Sequence, residues 1–176
     1  MDIRIERLKK LVHELAVVDT EEIPFRTYVV DACAMNYCGR YNKTWQCPPA
    51  VGTLEKLKES CLSYKQAVIF TPYHPLEESF DIEGMERGRT AHEKITDQAV
   101  EIFSGEEVKT LSAEGCNLCE SCTYPDAPCR FPNKARSSVE ANGISVVELS
   151  KNCNIHYTNG ENTVTYFSMI FYQKKS

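Results

Sequence analysis

Gln66-Ala67-Val68-Ile69-Phe70-Thr71 is an apolar run closed by polar residues, and it reads as a buried strand. Working outward, Thr53 is a predicted N-cap for a helix through about Tyr64. On the other side Pro72 to Gly84 reads as a polar loop. A longer helix is predicted over Met85–Phe103, stopped by Gly105. Val108–Ala113 then reads as a strand that delivers the chain to Cys116. At the N-terminus, Ile5, Leu8, Leu11, Val12 and Leu15 share one face of a helix predicted over residues 2–17. Arg26–Val30 reads as a short strand entering an irregular loop, Asp31–Gly52. Towards the C-terminus, Ser137-Ser-Val-Glu140 fits a capping box for a short helix ending near Gly143. Ile144–Val147 reads as strand or loop. Ile155–Tyr157 and Thr163–Tyr172 flank an Asn159-Gly160 turn, a hairpin signal. The sum is one domain over residues 1–176 of class α/β (α+β). Its features are a mixed sheet with flanking helices, a C-terminal β-hairpin and cysteine-rich loops gathered at one end of the sheet.

The bulk composition narrows the function. A chain of 176 residues with 42% hydrophobic content is large enough to bury a core. A net charge of −5 argues against a general partner in nucleic acid or an anionic membrane. No apolar run is long enough for a transmembrane helix. The first residues lack the apolar core of a signal peptide, so the expected location is cytoplasmic. Nine cysteines in a reducing compartment read as metal ligands or reactive thiols, and an odd count cannot pair fully within one chain.

Four of the nine fall within one short segment, Cys116-Asn-Leu-Cys119-Glu-Ser-Cys122-Thr-Tyr-Pro-Asp-Ala-Pro-Cys129. The first three follow the spacing of the bacterial ferredoxin run, and the fourth arrives three residues later. Two overlapping x2 spacings suit the corners of a 4Fe–4S cube. A four-cysteine zinc site is the alternative. A second set, Cys33, Cys38 and Cys47-Pro48-Pro49, lies upstream, with Cys61 beyond it. Cys61 reads equally as a ligand or as a buried small hydrophobe, and Cys153 has no near partner. Ligands are thus expected among Cys33, Cys38, Cys47, Cys61, Cys116, Cys119, Cys122 and Cys129, enough for one or two clusters. Cys47 and Cys129 compete as the fourth ligand of the downstream cube. Arg130, Lys134 and Arg136 precede a predicted helix start and are candidate cofactor-binding cations. Tyr41, Trp45, Tyr124 and Phe131 interleave with the cysteines and read as packing that shields a cluster from water. A lone helix histidine such as His92 reads as core or surface.

The runs Cys38-Gly-Arg-Tyr-Asn-Lys-Thr-Trp-Gln-Cys47-Pro-Pro49 and Cys116 to Gly143 resemble the two halves of a family signature. The family is the small cysteine-rich proteins of anaerobic bacteria and archaea catalogued as predicted metal-binding proteins of unknown function. The resemblance runs from about Tyr28 to Tyr172. It implies a metal site, with iron–sulfur the indicated form, and no particular reaction. Family members commonly carry a C-x2-C pair ending at the equivalent of Cys38. Here Met35 stands at that position, and Cys33 gives C-x4-C.

Three readings follow. The first is an iron–sulfur protein serving a redox partner protein in electron transfer. The second is an enzyme with an open iron acting on a small-molecule substrate by sulfur transfer, desulfuration or dehydration, with Arg87, His92, Arg130 or Arg136 near the site. The third is a zinc-bound structural module.

Overall fold

The computed structural model describes residues 2–175. The run that opened the sequence reading lies at the centre of a four-stranded antiparallel sheet of order β1-β2-β6-β4. These strands are β1 (Glu14–Asp19), β2 (Tyr64–Thr71), β4 (Lys109–Leu111) and β6 (Ser168–Lys174). Val68 faces Val17 on one side and Ile170 on the other. Strand β2 is covered on both faces, because successive side chains point to opposite sides. Ala67 and Ile69 join Met169, Phe171, Leu111, Ile144 and Leu149 in one core. Val68 and Phe70 join Ile170, Tyr172, Leu8, Ala99 and Phe103 in the other.

Helices α1 (Ile3–Leu8) and α4 (Ile82–Ile102) supply the second core. Helices α3 (Leu54–Leu62) and α5 (Val146–Asn152) close the first. The fold is therefore a mixed α+β one, helices covering both faces of a sheet. A small second sheet pairs β3 (His74–Pro75) with β5 (Thr163–Val164). The chain turns at Asn159-Gly160, and the two strands that follow take different partners. β5 goes to β3, whereas β6 enters the main sheet beside β2 and β4. All ladders in the main sheet are antiparallel, and among the described residues the one parallel element is the bridge between Ser112 and Ser138.

Several local expectations meet tertiary constraints. Thr53 caps α3, its hydroxyl accepting from Lys56 N, and α4 matches the long helix, capped by Asp81 at Gly84 N, 2.7 Å. The N-terminal helix, however, ends at Leu8. Residues 14–19, apolar enough to continue it, are taken as an edge strand against β2. Arg26–Val30 is not a strand. Residues 27–30 open α2 (Thr27–Ala34), with Val30 beside the turn at Gly143 and, among the described residues, no sheet strand paired with them. The short helix after Ser137 is a single 3-10 turn, Glu140–Asn142, ended by Gly143 in the left-handed region at φ +74°. A Cβ at Gly143 would lie 2.2 Å from Leu54 Cδ1. Ile144–Val147 instead opens α5, where Ser145 Oγ accepts from Glu148 N. The signature Ser145-Val-Val-Glu148 is itself a capping-box pattern. Urea unfolding of the metal-free protein is expected to show Ile69→Ala costing about 2–5 kcal/mol and Thr53→Ala about 0.5–2 kcal/mol. A negligible effect of Ile69→Ala would contradict its burial in the first core.

Candidate metal centre

The downstream cysteines leave the sheet at the end of β4. Their loop is closed at its base by Ser112 N donating to Ser137 O, 3.0 Å, and Val139 N donating to Ser112 O, 3.1 Å. The upstream cysteines hang between α2 and α3. Cys33 sits in the last turn of α2, Cys38 in the turn after it, and Cys47 in a tight turn closed by its own N–H on Thr44 O, 3.3 Å. The first cysteine loop thus follows a helix, not the strand expected.

Three side chains tie the loops together. Arg40 Nη1 donates to Cys116 O, 3.0 Å, Trp45 Nε1 to Ala127 O, 3.0 Å, and Tyr124 OH to Asn42 Oδ1, 2.7 Å. The Trp45 and Tyr124 rings meet edge to face at 4.9 Å. The approach is closest at Gly115, where a Cβ would stand 2.4 Å from Arg40 Cδ and 3.3 Å from Cys47 Sγ. Cys47 therefore lies against the start of the downstream run, and the two constellations adjoin.

Cys116, Cys119, Cys122 and Cys129 line one hollow of about 20 Å³, with Thr44, Trp45 and Phe131 among its walls. Cys33, Cys38 and Cys47 form the neighbouring group. Burial pushes the Cys33 thiol up to about 11, with Glu140, Cys38 and Cys47 adding to the shift. Burial also raises Cys47, against the pull of Thr44 and Arg40. It raises Cys116 too, opposed by the backbone N–H groups of Leu118 and Arg136. Cys61 does not join either group. It is fully buried in the first core on α3, with Lys109 as its charged neighbour, and burial lifts its thiol to about 11. Cys153 packs against the same core. All nine cysteines are free.

The candidate cations take different places. Arg130 lines the cysteine hollow and donates to Ser121 O, 2.8 Å. Arg136 pairs with Asp97 at 2.5 Å and Glu93 at 3.4 Å, joining the loop to α4. Lys134 is exposed on the wall of a cleft of about 760 Å³, which Arg89, Glu93, Arg136 and Cys116 also line. Arg87 lies outside that cleft's lining. His92 is fully buried, its Nε2 2.7 Å from Ser168 Oγ. The residue reading passed over Arg40, Thr44 and Gly115. The first two sit inside the Cys38–Cys47 run, and their enclosure by that run was the available signal.

Among the described residues, no three His, Cys, Asp or Glu side chains stand as a formed metal-binding group. The donor set nevertheless fits a thiophilic metal: four cysteines lining one hollow, three more near it, and a buried Thr44 hydroxyl beside Cys47. Metal binding displaces the thiol protons that burial holds, so affinity should rise with pH.

A cysteine-rich α+β protein with thiols gathered in two adjoining loops is the class that these features define. The family model described as "Predicted metal-binding protein (DUF2284)" matches residues 16–172, and the chain belongs to that family. No curated protein and no solved structure matches it. No helix among the described residues is long and apolar enough to cross a membrane.

Two outcomes are expected. Gly115→Ala forces Arg40 or Cys47 aside and should lower metal content while costing about 1–3 kcal/mol of stability. Metal analysis and thermal melts check it. The metal-free protein should also lose stability as pH rises from about 9 towards 11. Cys33 and Cys61 bind their protons more tightly folded than unfolded, so the unfolded chain gains by ionising first. A stability profile flat across that window would contradict the burial of these thiols.

Proposed function

We propose that this is an iron–sulfur protein of a reducing, cytoplasmic compartment that exchanges single electrons with a redox partner protein. Cys116, Cys119, Cys122 and Cys129 are the ligands of a 4Fe–4S cluster, and Cys33, Cys38 and Cys47 hold a second metal centre beside it. The observation that carries this reading is that Cys116, Cys119, Cys122 and Cys129 all line one hollow, with Trp45 and Phe131 among its walls. When bound, the cluster supplies one-electron redox chemistry.

The protein's own residues provide the rest. Trp45, Phe131 and Leu118 limit water at the hollow. The Leu118 and Arg136 N–H groups point at Cys116 sulfur and favour its thiolate. Arg40 and Arg130 offset the accumulated negative charge. Met35, Tyr37 and Cys38 are exposed beside the upstream group and give a contact face close to the sulfurs.

Two further readings have support of their own. The cleft of about 760 Å³ reaches Cys116 and has the size of a small-molecule site, which favours an enzyme with an open metal position. The hollow at the four sulfurs is closed to about the space of one water molecule, which favours a single zinc ion. A cube enters only if the loop, which has no regular secondary structure between Gly115 and Arg136, opens around it.

Anaerobic purification followed by iron, sulfide and zinc analysis separates these. The expected result is a brown protein with about four irons for one cube, or roughly seven to eight for two. Cys119→Ser should remove the downstream cluster, whereas Cys61→Ala should leave metal content unchanged. Colourless protein with stoichiometric zinc would overturn the electron-transfer reading.

A further inference from the structure

Thr44 sits where the two cysteine groups meet. The residue is 7% exposed, and its Oγ1 is enclosed with no hydrogen-bond partner. In the metal-free chain the polar group beside this hydroxyl is the Cys47 thiol, a weak partner, although a buried hydroxyl is ordinarily well bonded. It lines the hollow of Cys116, Cys119, Cys122 and Cys129. The Cys47 N–H to Thr44 O turn holds Thr44 beside the Cys47 thiol. Its neighbour Trp45 is pinned across the gap at Ala127 O, so the segment cannot simply swing away. Neutral thiols are poor acceptors, and thiolates or sulfides are strong ones. The partner this hydroxyl lacks is the kind that metal binding creates.

Resting on the iron–sulfur reading, we propose that the Thr44 hydroxyl donates a hydrogen bond to anionic sulfur at the metal centre and so raises its reduction potential. The acceptor is the Cys47 thiolate or a sulfur at the four-cysteine hollow. Reduction adds negative charge to those sulfurs, so a donor aimed at them stabilises the reduced state more than the oxidised one. Thr44 is a positioning residue in this scheme, acting on the sulfur and not on any substrate.

The test compares wild type, Thr44→Val and Thr44→Ser, each loaded anaerobically and matched for iron content. Thr44→Val keeps the shape and deletes the hydroxyl, whereas Thr44→Ser keeps the hydroxyl. The midpoint potential, read by EPR during a redox titration, should fall in Thr44→Val and stay near wild type in Thr44→Ser. A tenfold shift in the ratio of reduced to oxidised protein corresponds to about 59 mV for one electron. Equal potentials in wild type and Thr44→Val would overturn the proposal.

Stability gives a second readout that needs no cluster. The metal-free Thr44→Val protein should melt at or above the wild-type temperature, because it loses only an unsatisfied group. A lower melting temperature would show that the hydroxyl is bonded within the protein, and would overturn the proposal as well. If wild type holds zinc and no iron, the iron–sulfur reading fails by itself. Thr44 is then judged on the thiolate-to-cobalt absorption band of the cobalt-loaded protein. A band displaced in Thr44→Val and restored in Thr44→Ser upholds the donor role, and an unmoved band ends it.

Discussion

The pair of backbone hydrogen bonds at Ser112 holds the sheet, the long helix and the cysteine loop in one arrangement. Ser112 follows β4, and its N–H and C=O close the base of the loop on Ser137 and Val139. Its side chain works inward. The Ser112 hydroxyl donates to Glu93 Oε1, and Ser168 Oγ lies 3.3 Å behind it. Ser168 in turn meets His92 Nε2 and Thr96 Oγ1, 2.7 and 2.9 Å away. This chain of polar groups crosses from α4 to β6 through the otherwise apolar middle of the protein. Burial drops the His92 imidazole to about 3, so it stays neutral and serves as a hydrogen-bonding group, not a charge. Glu93 then receives Arg136 from the loop itself. The far end of the cysteine loop is thus held to the same helix that supports its near end.

That dependence explains which features could be read from the chain. Strand β2, α3 and α4 were legible because local signals and final environment agree: an apolar run, a Thr cap, an Asp cap and a long amphipathic period. The four downstream cysteines were legible for a related reason, since all lie within one loop. The failures are segments whose neighbours are distant in sequence. Residues 14–19 carry a helical pattern, and β2 recruits them as an edge strand. Residues 27–34 carry β-branched valines, and the packing against Gly143, more than a hundred residues away, makes them a helix. Cys61 and Cys33 look alike in spacing arguments. Only the fold sends Cys61 into the core and leaves Cys33 beside Cys38 and Cys47.

The same distinction applies to charge. Basic residues after Cys129 stood out in the sequence as partners for bound anions, yet Arg136 is engaged by Asp97 and Glu93 and so adds little net positive charge to the sulfurs. Arg40 was less conspicuous, being a single cation within a loop. It makes no salt bridge among the described residues, and its guanidinium reaches across to the Cys116 carbonyl. It also lowers the proton affinity of Cys47, a residue of the other cysteine group. One cation therefore touches both halves of the centre. Thiolates gathered in a chain that already carries −5 repel one another, and the repulsion is greatest where the loops adjoin. Arg40 stands at that junction, and Gly115 leaves it the space to do so. The clamp between the loops is therefore electrostatic as well as steric, and its attraction grows as each thiol gives up its proton to a metal.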